Sequence, residues 1–81
     1  MPKVNNEAGR IAMNYAVEFY PTRTGYSAHA PDLPGCVATG RTLEETRELM
    51  RSAMEMHLRA MREDGDPIPE PSHIVDMLEV A

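Results

Sequence analysis

Few side chains in this sequence are able to do covalent or metal chemistry. There is one cysteine, Cys36, and there are three histidines, His29, His57 and His73. Of the acids, Glu18 and Asp76 fall in segments that read as strands, and Asp32 falls in the loop between two of them. A nucleophilic Cys36 would need a neighbouring base and a lowered pKa. His29, seven residues earlier, could face it across a turn. Against that, free cysteine is among the most buried residue types, and the sequence favours Cys36 as a small apolar residue that starts a strand. The histidines stand in none of the HxH, HxxE or HExxH spacings that converge metal ligands. Carboxylate catalysis with a divalent ion needs several acids from separate strands around one point. Glu18, Asp32 and Asp76 supply such a cluster only thinly, and no glycine loop is arranged for phosphate. The residues themselves therefore assign no catalytic group, no metal ligand and no cofactor.

The elements that would position these groups follow from pattern. Residues 1–12 are small and polar without a usable period, and read as a flexible N-terminal arm. Residues 13–81 read as one small domain. From Met13, the alternation of Met13, Tyr15, Val17 and Phe19 with Asn14 and Glu18 is that of a half-buried strand. "PTRTG" is a turn, and "YSAHA" alternates again, so the two strands form an antiparallel hairpin. After "PDLPG", "CVATG" resumes a short strand. Thr42 with Glu45 makes a capping box. It opens a helix whose apolar stripe runs through Leu43, Met50, Ala53, Met54, His57 and Met61, widened by Leu49, Leu58 and Ala60. Gly65 and Pro67 end it. "PIPEPS" is a stiff connector. "HIVDMLEV" carries apolar residues on both alternating faces, as a last strand buried on both sides does. The order is β-β-β-α-β: an α+β fold with a small mixed sheet, one helix on one face, and the last strand parallel through a right-handed crossover.

Composition narrows the function classes. Acids outnumber lysine plus arginine by five. With no basic cluster, this argues against nucleic acid as the direct partner and for a basic protein. A lone cysteine excludes an internal disulfide framework and suits a reducing compartment. No apolar run is long enough to span a bilayer, and the start has no secretory h-region, so a cytoplasmic protein is expected. In "PDLPG", Pro31 and Pro34 restrict the backbone, Gly35 can take a positive φ, and Asp32 can accept backbone hydrogen bonds. Leu33 is then either an apolar contact point on a stiff corner or a local core residue; pattern does not choose.

"GYSAHAPDLPGCVATG", "TLEETRELMRSAMEMHL" and "EDGDPIPEPS" stand in one order at close spacing. Together they resemble the HicB-like antitoxin family, in its stand-alone N-terminal, UPF0150-like form. The distinctive combination is "PDLPGC", then G-x-T-x-E-E, then "PIPEP"; Thr46 departs from the family's preference for alanine. The resemblance implies a reduced RNase H-like fold without a working acidic site. It also implies a role in binding and masking a small basic HicA-type mRNA-cleaving toxin, and assembly as a homodimer or higher oligomer. Longer relatives carry a C-terminal DNA-binding module. Ten residues follow Pro71 here, so no direct DNA binding is expected of this chain. Within that reading the partner-binding candidates are Tyr20, Arg23, Tyr26, His29, Asp32 and Leu33, on the hairpin and its corner. The same residues could equally line a homodimer seam. The alternatives are an oligomeric interaction module without a toxin and, behind it, a metal-dependent nuclease on an RNase H-like scaffold.

Overall fold

The computed structural model describes residues 4–5 and 11–81, with side chains from residue 13 onward. Its elements in chain order are β1 (Val4–Asn5), β2 (Ile11–Ala12), β3 (Glu18–Pro21), β4 (Tyr26–His29), β5 (Val37–Gly40) and α1 (Leu43–Asp64). β3, β4 and β5 form a three-stranded antiparallel sheet in that order. The α+β class, the meander and the helix are as the pattern predicts.

Register decides which side chains share a face. Phe19, Ala28 and Ala38 lie opposite one another, as do Glu18, His29 and Val37, and Tyr20, Ser27 and Thr39. Ala28 is fully buried, and Phe19 and Ala38 pack against it, so theirs is the helix-facing side. The other two rows alternate to the opposite side, away from the helix. α1 packs mainly across β5 and β4. Arg47 marks its border with β3, the guanidinium 5.8 Å from the centre of the Phe19 ring.

The core is small. Among the described residues its buried apolar members are Ala28, Ala30, Leu33, Cys36 and Met50, with Tyr15, Val17, Phe19, Ala38, Ala53, Met54 and Leu58 packed around them. Leu33 takes the core role and not that of a surface contact: it is fully buried. Two successive turns put it there. Leu33 N–H donates to Ala30 C=O at 3.0 Å across Pro31–Asp32, and Cys36 N–H donates to Leu33 C=O at 3.0 Å across Pro34–Gly35. Gly35 has φ 84°, as the third position of a type II turn requires, with proline before it. The chain thus reverses twice within a few residues, and the side chain between the turns points inward.

α1 begins as expected, with one adjustment. The Thr42 hydroxyl accepts from Glu45 N–H at 3.0 Å, but the Glu45 carboxylate reaches past Thr42 to accept from Arg41 N–H at 2.6 Å. Gly65, left-handed at φ 75°, closes the helix. The buried helical residues are Met50 and Thr46, whereas Leu43 and Leu49 are exposed. Thr46 was not part of the predicted stripe. Its hydroxyl is satisfied internally, donating to Thr42 C=O at 2.7 Å, and this lets a threonine stand in the core.

Two expectations, the start of the first strand and the presence of the last, need correcting. The first strand of the hairpin does not start at Met13: residues 13–17 are extended without a ladder, and regular pairing begins at Glu18. Tyr15 instead turns to the connector, its hydroxyl donating to Pro69 C=O at 2.6 Å. Of the arm predicted over residues 1–12, Val4–Asn5 and Ile11–Ala12 pair antiparallel; two-residue strands are too short to show a period, and the rest lies outside the described residues. The last strand is absent. Residues 66–81 have no regular structure, and the sheet has no parallel member. Ile74, Val75, Met77, Leu78 and Val80 are exposed, and among the described residues they pair with no strand. No helix among the described residues is long and apolar enough to cross a membrane.

Leu33→Ala is expected to cost about 2–5 kcal/mol in urea unfolding, because it removes the largest buried side chain of a small core. Val37→Ala, three-fifths exposed on the opposite side of the sheet, is expected to stay within about 0.5 kcal/mol.

Candidate functional site

The sheet face turned away from α1 carries Glu18, Tyr20, Ser27, His29, Val37 and Thr39. Three of these form one hydrogen-bonded chain. His29 Nε2 is 2.9 Å from Glu18 Oε1, and its Nδ1 is 2.6 Å from the Tyr20 hydroxyl. An ionised carboxylate only accepts, so Nε2 carries a proton; in the neutral imidazole Nδ1 then accepts from Tyr20 O–H. The Tyr20 and His29 rings lie 5.7 Å apart at 57°. Cross-strand register causes the arrangement: Glu18 is directly opposite His29, and Tyr20 is the next residue on the same face. This chain of bonds engages both ring nitrogens of His29, the Glu18 carboxylate and the Tyr20 hydroxyl. It fixes the rotamers of a half-exposed tyrosine and a histidine, and side chains already held in place lose little entropy when a partner covers them. Val37, beside His29, adds an exposed apolar patch.

A second cluster lies beyond His29, where the chain leaves β4. The Asp32 carboxylate is only 7 % exposed and faces the connector after α1. Its Oδ1 accepts from the Ser72 hydroxyl at 2.6 Å and from His73 Nδ1 at 2.9 Å; its Oδ2 accepts from the Ser72 and His73 N–H groups at 2.9 and 3.3 Å. The Ser72 hydroxyl and backbone N–H, followed by the His73 donors, hold the Asp32 carboxyl well below the usual carboxylate range and outweigh the opposing effect of burial. Asp32 is thus a clasp that joins the PDLPG corner to residues 40 positions later.

The candidate residues separate accordingly. Tyr20 and His29 come together on the open face. Asp32 turns to Ser72 and His73, and Leu33 is in the core. Arg23 sits exposed in the hairpin turn, which Thr22 closes by donating its N–H to Gly25 C=O at 2.8 Å. Tyr26, at the same end, borders a shallow cleft with Thr22, Thr24, Thr39, Arg41 and Glu45. The set is therefore spread over two ends of the hairpin. Sequence reasoning separated Glu18 from the apolar side of its strand but did not join it to Tyr20 and His29, and it missed Val37. It missed Ser72 and His73 altogether, because no pattern reveals a partner so far along the chain.

The groups considered for chemistry are used otherwise. Cys36 is buried, which pushes its thiol pKa up and away from the thiolate. Glu18 faces His29, Asp32 faces Ser72, and Asp76 accepts from the next residue's N–H at 2.7 Å. Among the described residues no group of three or more His, Cys, Asp or Glu is arranged to hold a metal ion.

Residues 15–80 match the family described as HicB_like antitoxin of bacterial toxin-antitoxin system. A 14.9 kDa protein from the rep–hol intergenic region of Haemophilus phage HP1 is 32% identical over 62 residues, which cover 76% of this chain and 47% of the phage protein. The chain thus spans about half the length of that relative. A UPF0150 protein of Synechocystis sp. is 36% identical over 58 residues, 70% of this chain and 80% of the relative. Among solved structures, a chain of the HicA3 and HicB3 toxin-antitoxin complex superposes with a TM-score of 0.64 at 27% identity, covering 74% of this chain and 70% of that one.

The Asp32 clasp generates a pH prediction. A carboxyl with a depressed folded-state pKa contributes stability that is present above its unfolded value, about 3.9, and is lost as pH falls through the folded value. The Ser72 and His73 amide resonances are therefore expected to hold their clasped positions across neutral and mildly acidic pH and to move only below about pH 4. In Asp32→Asn they should sit at unclasped positions throughout, read by two-dimensional NMR.

Proposed function

The chain belongs to the HicB-like antitoxin family of bacterial toxin–antitoxin systems, and from that premise we propose that it is an antitoxin that binds and masks a small, basic HicA-type mRNA-cleaving toxin. The likeness to a chain of the HicA3 and HicB3 complex carries the proposal. The open sheet face supplies a surface for it. Tyr20, locked to His29 and Glu18, is a rigid aromatic anchor of the kind that dominates binding energy, and Val37 extends it with apolar area. Arg23 and Tyr26 lie at the turn end of the same hairpin and would contribute at the rim. The net charge of −5 favours a basic partner and speeds its encounter. The role is non-catalytic, exercised in the cytoplasm without a cofactor. Residues 13–81 act as one domain, and copies of it associate.

A second reading, an oligomeric interaction module without a toxin, has one observation in its favour: the exposed apolar residues after His73. The two differ in what the neighbouring gene encodes. Co-expression with a small basic protein from that gene is expected to relieve its toxicity and yield a co-purifying complex; independent purification and unrelieved growth arrest would refute the antitoxin reading.

Tyr20→Ala combined with His29→Ala is expected to weaken toxin binding by at least about tenfold, equivalent to 1.4 kcal/mol, while the melting temperature stays close to that of the parent. Calorimetry of the complex and thermal unfolding of the free chain measure the two quantities.

A further inference from the structure

The sheet ends at β5, and that edge carries no guard. Where the β4–β5 ladder begins, Ala30 N–H donates to Cys36 C=O at 3.4 Å. Bonded pairs alternate along two antiparallel strands, so Ala38 and Gly40 bond back to Ala28 and Tyr26. Pro21 fits the same alternation: it has no N–H to give, and it stands opposite Tyr26 in the other ladder. The N–H and C=O groups of Val37 and Thr39 therefore point away from the sheet, and among the described residues no strand pairs with them. Edge strands are commonly protected by charge, proline or a bulge. β5 reads "VATG", without charge or proline, whereas β3 contains Glu18 and ends in Pro21. Exposed apolar side chains flank the row on both sides. Val37 is 61 % exposed on the face turned away from α1, and Leu49 and Met56 of α1 are 46 and 65 % exposed. Leu49 and Met56 lie roughly 200 and 180° around the helix axis from Arg47. Arg47 borders β3 while α1 packs on β5 and β4, so these two residues stand on the flank beyond β5. Helical spacing puts Glu45 and Glu63 at the two ends of the same flank.

We propose that the β5 edge receives a short extended segment of the toxin, which adds to the sheet as a strand and is apolar in its middle and basic at its ends. The partner's identity rests on the antitoxin reading; the receiving edge and the chemistry of the segment go beyond it. Val37 and Thr39 offer two donors and two acceptors, which suits a segment of about four residues, roughly 13 Å long. Main-chain bonds supply affinity, and alternate side chains supply specificity. One side of the added strand falls against Leu49 and Met56, the other beside Val37. Charge selects the occupant. Glu45 and Glu63 bracket the apolar pair, so lysine or arginine at the ends of the segment is complementary and an acidic segment is repelled. The apolar tail of a second copy carries Asp76 and Glu79, and is the wrong occupant on that count. The edge is also continuous with the surface proposed for the toxin, because Val37 lies directly opposite His29. A partner seated on Tyr20 and His29 reaches the β5 edge without a gap.

The test uses the full chain, free and in complex with the small basic protein of the neighbouring gene. In the free chain the Val37 and Thr39 amides are expected to exchange with solvent deuterium faster than that of Ala38, and binding is expected to slow both by at least about tenfold. Thr39→Pro removes an outward N–H while leaving the bonds to β4 in place, and is expected to weaken binding by at least about tenfold with an unchanged circular dichroism spectrum of the free chain. Leu49→Lys with Met56→Lys, exposed on the helix and outside the strand, is expected to weaken binding to a similar extent by repelling the basic segment. Protection of Val37 and Thr39 in the free chain would mean that a second copy holds the edge, and would overturn the proposal. A complex that leaves these amides unprotected and is indifferent to both variants would also overturn it, with the antitoxin reading still standing. A parent chain that binds no product of the neighbouring gene would overturn both.

Discussion

Everything in this small domain is arranged around the burial of Leu33. A side chain in the middle of a surface loop would ordinarily face water. Here Pro31 and Pro34 each open a tight turn, and the positive φ of Gly35 completes the second, so the chain folds back on both sides of Leu33 and presses it against Ala28, Ala30, Cys36 and Met50. Burying a leucine contributes about 1.5–3 kcal/mol. In a domain with so few buried apolar residues, that is a large share of what holds helix and sheet together. The first of these turns contains Asp32 and so sets the position of the clasp. Core packing and the route of the C-terminal segment thus depend on one five-residue corner.

The two faces of the sheet divide the work. The helix side is apolar and closes with small residues, Ala28 and Ala38, which let α1 lie close. Among the described residues no element covers the opposite side, where Glu18, His29 and Tyr20 bond to one another. A face that is internally satisfied and also aromatic is stable in water, yet retains apolar area for a partner to cover. In the antitoxin role proposed above, that face is the surface offered to the toxin. The tail is the opposite case: its apolar residues are exposed on a segment without regular structure.

Much of the architecture was legible in the residues. Period two found the hairpin, period 3.6 found the helix, and Thr42, Glu45 and Gly65 found its ends. Strand boundaries were less visible. Met13 to Val17 alternate as a strand does, but alternation reports which side is buried and does not report whether a neighbour is there to bond. Thr46 escaped notice because a threonine enters a core only when a particular carbonyl, here that of Thr42, takes up its hydroxyl. The last strand was anticipated for a sound reason, the apolar pattern of residues 74–80, but a pattern states a need for burial without naming what meets it.

The sequence by itself determined the hairpin, the helix with its ends, and the family, because turns, caps and motifs each rest on neighbours within a few residues. It also left Leu33 poised between core and surface. Only the tertiary structure decided that question, along with the joining of Glu18 to His29 and Tyr20, the clasp of Asp32 on Ser72 and His73, and the isolation of the tail. These depend on strand register and on contacts between residues 40 or more positions apart, and such distances are set by how the elements pack.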